Sequence, residues 1–224
     1  MKRQKFSLTA AHLRILALCL MLLDHLWATV VPGNDWMTCL GRMAFPIFAF
    51  QTAQGYVHTH DFRGYCKRLA LFALVSEIPF NLMISGSPFY PFHQNVMLTL
   101  LLGLLACRAW DRQSWGQLLL ICLAGVVTLP DYGALGIASV LMFHIFRGKK
   151  LWQLLFLFLI NYFGYEGWEL LIGPFTVPVQ SLATLAWLPI SLYNGEKGAG
   201  KRLQTASYIF YPLHMLILGL LQYL

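Results

Sequence analysis

From residue 10 onward the chain is a succession of apolar runs, many of them about as long as a bilayer is thick. Lysine and arginine fall almost entirely in every second break between the runs. The runs cover about 10–31, 39–58, 65–84, 94–110, 114–130, 131–147, 150–172, 174–193 and 204–223, the middle three being short for a crossing. Basic residues gather in the N-terminus (Lys2, Arg3, Lys5) and in "HTHDFRGYCKR", "RAWDR", "RGKK" and "NGEKGAGKR". The breaks around Asp35 and in "SGSPFYPFHQN", "PDYG" and "IGPF" carry none. The pattern predicts an all-α polytopic membrane protein with about nine transmembrane helices, the N-terminus in the cytoplasm and the C-terminus outside. A lipid bilayer is therefore its expected surroundings.

Composition agrees, since 58% of the 224 residues are hydrophobic, only 11% are charged, and the mean hydropathy is +0.61. This excludes an ordinary soluble domain. The formal charge of +7 is accounted for by loop asymmetry and, with no nucleic-acid motif beside it, does not point to nucleic acid. "MKRQKFSLTAAHLR" leads into a full-length apolar run without a small-residue cleavage site, so the first span is expected to stay. Five cysteines without CxxC spacing suggest packing residues, and no metal site is expected. No repeat or separate soluble segment is visible, so residues 1–224 read as a single transmembrane domain.

The exceptions to this pattern carry the chemistry. Ionisable residues inside apolar runs are costly, which singles out Asp24, His25, Arg42, Glu77, Glu166 and Glu169. Counting ~1.5 Å per residue from residue 10 puts His25 roughly 22 Å from the cytoplasmic end of its helix. Arg42, the one basic residue out of step with the charge alternation, enters from outside at a similar depth. Glu77 and His214 fall near mid-membrane, and Asn95 lies at an outer end. Gln51 and Gln54 recur with His58 at helical spacing, as a polar cavity or interhelical hydrogen bonds would require.

A neutral imidazole can take a proton from an attacking amine or hydroxyl, and a guanidinium can steady an oxyanion, the two needs of acyl transfer. Structural alternatives compete: an Asp24–Arg42 ion pair, a neutral Glu77, and a core role for His214. Adjacent helical residues diverge by ~100°, so the Asp24–His25 sequence does not decide whether Asp24 orients the imidazole or bonds Arg42.

"ILALCLMLLDHLW", "LGRMAFPIFAFQTAQGYVHT", "YCKRLALFALVSEIPFNL", "FHQNVMLTLLLGLL" and "YIFYPLHMLIL" resemble, in order, motifs of the TraX family of bacterial membrane proteins. The D-H pair, R-x-x-F-P-I-F-x-F, S-E-x-P-F and Y-P-x-H are the most specific. The family is associated with N-terminal acetylation of pilin and resembles a wider membrane acyltransferase superfamily that includes sugar O-acetyltransferases and the lysosomal heparan N-acetyltransferase. The resemblance implies an acetyltransferase of the bacterial inner (cytoplasmic) membrane that uses acetyl-CoA as donor. It also implies His25 as the essential histidine and Arg42 as its partner.

The expected roles follow. His25 is base or nucleophile, Arg42 positions the acyl carbonyl and Asp24 supports the pair, while Glu77, Asn95, His214, Gln51 and Gln54 line the cavity. The acceptor is a peptide amine or glycan hydroxyl, with the pilin N-terminus favoured by family analogy. A cytoplasmic mouth drawn from Arg14, Lys67, Arg68, Arg108 and Arg147 is expected to hold the nucleotide of acetyl-CoA. The competing reading is a transporter or channel with an Asp/His/Arg/Glu relay, against which the missing repeat speaks; a noncatalytic assembly factor is a third.

Overall fold

The structure is a computed structural model, in which residues 6–165, 167–172 and 174–222 are described. Among the described residues ten α-helices dominate: α1 Ala10–Thr29, α2 Trp36–Gly41, α3 Ala44–His58, α4 Phe62–Ser85, α5 Val96–Asp111, α6 Trp115–Val127, α7 Gly133–Ile145, α8 Lys150–Phe163, α9 Trp187–Ser191 and α10 Lys201–Leu221. Between α8 and α9 lie strands β1 Glu169–Ile172 and β2 Phe175–Pro178 and a 3-10 run, Val179–Ala186. Among the described residues three helices are long and apolar enough to cross a membrane: Ala10–Thr29, Phe62–Ser85 and Arg202–Leu221.

Local chemistry sets the helix starts. Thr9 and His12 close a capping box on α1, the Asp61 carboxylate accepts from Gly64 at the start of α4, and the Asn95 amide oxygen accepts from Met97 at the start of α5. Gly86, in the left-handed region at φ 72°, ends α4.

Contacts between helix ends group them at two opposite faces of the bundle. At the basic face, Leu8 pairs with Tyr193, Ala10 N–H donates to the Glu196 carbonyl at 2.8 Å, and the Asp111 carboxylate bonds Tyr56 and His144. At the opposite face Gln94 pairs with Pro130, its N–H donating to the Leu129 carbonyl at 3.0 Å.

Two expectations are corrected. Residues 150–172 and 174–193 are not two uninterrupted helices: α8 stops at Phe163, and the antiparallel hairpin β1–β2 separates it from the return pass. That return is 3-10 helix followed by the short α9. It runs antiparallel to α8, because Gln180 donates to Asn161 near one end (2.9 Å), while Trp187 donates to the Lys150 carbonyl (2.9 Å) and Lys150 to the Ser191 carbonyl (2.6 Å) near the other. Eight residues of 3-10 helix at ~2.0 Å each and five of α-helix at ~1.5 Å each give the return roughly the length of α8. Pro174, Pro178 and Pro189 withhold amide donors that a continuous α-helix would need. Glu169 lies on the hairpin opposite Pro178, and Glu166 lies outside the described residues.

The expected span 39–58 likewise breaks, leaving Arg42 and Met43 between α2 and α3. Gly41 permits the close crossing there, since a Cβ on it would fall 2.4 Å from the Asp24 Cβ.

Helix α3 is the centre of the bundle, packed by α1, α5 and α7, with Ile47 and Ala49 fully buried. Leu13, Leu104, Val140, Phe143, Leu157 and Met215 complete that core. The periphery is apolar too: Leu74 and Ile78 of α4, Leu119 and Leu120 of α6, and Ile209, Leu213 and Ile217 of α10 are exposed. The last three recur every fourth residue, forming one stripe suited to lipid.

Candidate functional site

His25 on α1 and His214 on α10 meet although 189 residues separate them, His25 Nδ1 lying 2.7 Å from His214 Nε2. The rings are 7° from parallel with centroids 5.0 Å apart. That separation is what two five-membered rings give when the nitrogen–nitrogen contact lies on the line joining their centres, so this is an in-plane hydrogen bond rather than face stacking. Both residues lie at matching depth, ~20 Å along their helices from the basic face. Behind them, His214 Nδ1 is 2.8 Å from the Phe210 carbonyl, and the Phe210 ring lies parallel to the imidazole at 4.8 Å. Pro212, inside α10, lacks the N–H that would bond the Tyr208 carbonyl and loosens the helix two residues before His214.

Asp24 does not orient either imidazole. Its Oδ1 accepts from Arg42 Nη2 at 3.0 Å and from the Thr38 hydroxyl at 2.6 Å, and Arg42 Nε and Nη2 reach the same hydroxyl at 3.2 and 3.0 Å. Neighbours on one helix thus serve two networks, histidine–histidine and carboxylate–guanidinium. Thr38 was not singled out from the sequence, although it precedes Arg42 by one helical turn and faces the same way.

Glu77 and Asn95 form a separate tie between α4 and the start of α5. Asn95 Nδ2 donates to Glu77 Oε2 at 2.5 Å and to the Ala73 carbonyl at 2.8 Å. Asn95 is fully buried, and the buried Glu77 Oε1 has no hydrogen-bond partner among the described residues. Among the described residues neither side chain is hydrogen-bonded to the histidine pair. Gln51 donates to the Ala10 carbonyl at 2.7 Å, so it fastens α3 to α1 as well as facing a cavity.

Two cavities approach this polar layer from opposite faces. The first, about 510 Å³, opens among His58, Thr59, Lys197 and Gly200 at the basic face. It passes Arg14, Arg68, Gln51 and Gln54 and reaches Met21, Val96, Met97 and Tyr211. Met21 and Tyr211 are one turn from His25 and His214 on their own helices. Of the five basic residues expected at a mouth, Arg14 and Arg68 line this cavity; Lys67, Arg108 and Arg147 do not, and Arg108 instead lies over the Phe62 ring at 4.2 Å. Lys197 joins them, brought by the 194–200 connection that packs on the start of α1.

The second cavity, about 530 Å³, is walled by Trp27, Arg42, Asp131, Tyr132, Tyr165 and Trp168, with Gln180 beyond. Trp27 and Trp168 stack with centroids 6.0 Å apart, and Tyr132 stacks on Phe45 at 3.8 Å. Asp131 also accepts from His93 at 3.3 Å.

Asp24 bonded to Arg42, and His25 bonded to His214, thus lie side by side on α1. The TraX protein family model matches residues 9–222, nearly the whole chain. The chain belongs to the TraX family. A relative, the probable fimbrial assembly protein FimC, serogroup H1, of Dichelobacter nodosus, is 24% identical over 239 residues, covering 96% of this chain and 96% of its own. No solved structure matches. Within this TraX-family chain, the sequence did not reveal the His25–His214 contact, Thr38, Lys197 or the aromatic wall of the second cavity. Only Thr38, by its helical spacing from Arg42, left a readable signal.

Proposed function

We propose that this TraX-family chain is an acyltransferase of the bacterial cytoplasmic membrane that moves an acetyl group from acetyl-CoA to an amine or hydroxyl acceptor on the far side. The observation that carries the reading is the pair of cavities, one from each face, that approach a single layer holding His25 and Arg42. An enzyme whose donor and acceptor lie on opposite sides of a membrane needs this arrangement.

The basic face is taken as cytoplasmic, following the positive-inside rule. Arg14, Arg68 and Lys197 suit a nucleotide's phosphates at the mouth, and the apolar depth past Gln51 and Gln54, lined by Met21, Val96 and Met97, suits a pantetheine arm. The acceptor enters the second cavity, where Arg42 and Asp131 face it from between aromatic rings. Neutral His25 removes the acceptor's proton, or attacks the thioester itself, and Arg42, steadied by Asp24 and Thr38, stabilises the carbonyl oxygen as it gains charge. Family membership favours a pilin N-terminus as acceptor, and the name of the FimC relative, a fimbrial assembly protein, fits a pilus subunit.

Purified protein in detergent, incubated with acetyl-labelled CoA and bacterial membrane extract, tests the proposal. Label transferred to a peptide or glycan supports it. Solute flux through proteoliposomes without label transfer would replace it with a transporter.

A further inference from the structure

We infer that His214 is a positioning residue that holds His25 in one tautomer, leaving Nε2 of His25 as the nitrogen that exchanges protons with the reacting groups. The inference rests on the acyltransferase reading above and deepens it.

It follows from donors and acceptors alone. The Phe210 carbonyl can only accept, so His214 Nδ1, 2.8 Å away, carries a hydrogen. No carboxylate bonds either ring among the described residues, and both histidines are taken as neutral; His214 Nε2 then presents a lone pair. His25 Nδ1 lies 2.7 Å from that lone pair and in its plane, so the proton between them belongs to His25. A neutral His25 protonated on Nδ1 has a bare Nε2, and that nitrogen has no hydrogen-bond partner among the described residues. The chain of donors therefore runs from His25 to His214 to the α10 backbone. Its far end is fixed by Phe210, whose ring lies parallel to His214.

The arrangement performs the orienting task that a buried carboxylate performs in other histidine-based sites, but with a neutral partner. Asp24, next in sequence, is committed to Arg42 and Thr38 and is not available to His25. During direct transfer, the acceptor's N–H or O–H proton passes to His25 Nε2 as its heavy atom bonds the acyl carbon. The carbon–sulfur bond breaks, and the departing CoA thiolate takes the proton back from Nε2. Meanwhile the Nδ1–H bond to His214 strengthens while His25 carries positive charge and relaxes when it is neutral again. No proton needs to cross to His214.

The test uses full-length protein in detergent, with two substitutions that divide the His214 contacts. In His214→Gln the side-chain oxygen can replace Nε2 as acceptor; in His214→Asn the amide can replace Nδ1 as donor to Phe210 but cannot reach His25. Turnover should fall on the order of 100-fold in His214→Asn, a loss within the range for misaligned acid–base groups, and by less than about tenfold in His214→Gln, with KM for acetyl-CoA unchanged in both. Independently of activity, nitrogen NMR of ¹⁵N-histidine-labelled wild-type protein should show His25 protonated on Nδ1, assigned by loss of the signal in His25→Ala. Labelled His214→Asn should show that preference lost. His25 protonated on Nε2 in the wild type, or equal turnover in the Asn and Gln variants, would overturn the inference. The wild-type spectrum can overturn the inference even if neither variant folds.

Discussion

Arg42 Nη2 lies 3.0 Å from Asp24 Oδ1, and this ion pair, closed by the Thr38 hydroxyl, ties α1 to the break between α2 and α3. Both side chains are largely withdrawn from solvent, 27% and 17% exposed, so removing one leaves its partner with a poorly solvated charge. Asp24→Asn should lower stability by about 1–3 kcal/mol, less than the ~3–5 kcal/mol of breaking a fully buried pair, because the remaining exposure softens the penalty. Arg42→Lys should keep more of the stability but lose most of the activity, since an ammonium cannot span Asp24, Thr38 and a substrate oxygen together. Thermal unfolding in detergent beside a transfer assay separates the two effects; equal activity in Arg42→Lys and wild type would remove Arg42 from the reacting group.

His25 is only partly buried, and its side chain makes one hydrogen bond among the described residues, to His214. His25→Ala should therefore abolish acetyl transfer while moving the unfolding temperature only slightly. Turnover near the wild-type level in a folded His25→Ala protein would refute the proposed chemistry.

The cavity lining sorts the basic residues that charge alone could not. Neutralising Arg14, Arg68 or Lys197 should each weaken acetyl-CoA binding by about 1–3 kcal/mol, the range for hydrogen bonds to charged groups. Lys67, Arg108 and Arg147 lie off that lining, and neutralising them should leave affinity unchanged. Calorimetric titration of the six single variants checks this, and losses confined to the second group would move the mouth elsewhere.

What the sequence made legible was set by cost. A charge inside an apolar run announces itself, so Asp24, His25 and Arg42 stood out before any fold was known, and the alternation of basic loops set the expected direction of successive runs. Contacts between distant residues leave no such trace: His214 lay in the last run with nothing to indicate that its partner was in the first. The return pass failed as an α-helix for a local reason. Hydropathy averages cannot distinguish α from 3-10 winding, and the prolines that decide it also occur inside true helices here, at Pro79 and Pro212.

At the face opposite the basic loops, the Asp131 carboxylate bonds His93 at 3.3 Å and holds its imidazole above the ordinary histidine range, outweighing the effect of partial burial. A histidine raised in this way contributes stability in full below its unfolded value of about 6.5, and the contribution disappears as pH rises through the higher folded value. Both side chains are more than a third exposed, at 39% and 34%, so solvent screening keeps the effect small. His93→Gln should unfold at a lower temperature than wild type near about pH 5.5 and at the same temperature near about pH 9. A difference that grew with pH would show that the pair does not bind the proton.

The pass made of Val179–Ala186 and α9 brings a final prediction, because it determines which face the last helix starts from. Its far end pairs with the start of α1 through Leu8 and Tyr193, so the 194–200 connection shares a face with "RGKK" near residue 148. The hairpin β1–β2 shares the other face with "PDYG", as Tyr165 reaching the Tyr132 carbonyl at 3.5 Å also indicates. Single cysteines at Gly148 and Gly195, in a background lacking the native cysteines, should react with an impermeant maleimide only from the cytoplasmic side of sealed vesicles. Cysteines at Asp131 and Leu171 should react only from the other side. If Gly195 and Leu171 were both labelled from the outer side, the 3-10 segment would not cross the membrane, and α10 would have to run in the opposite sense. His214 would then be counted from the other face, and its matching depth with His25 would be lost.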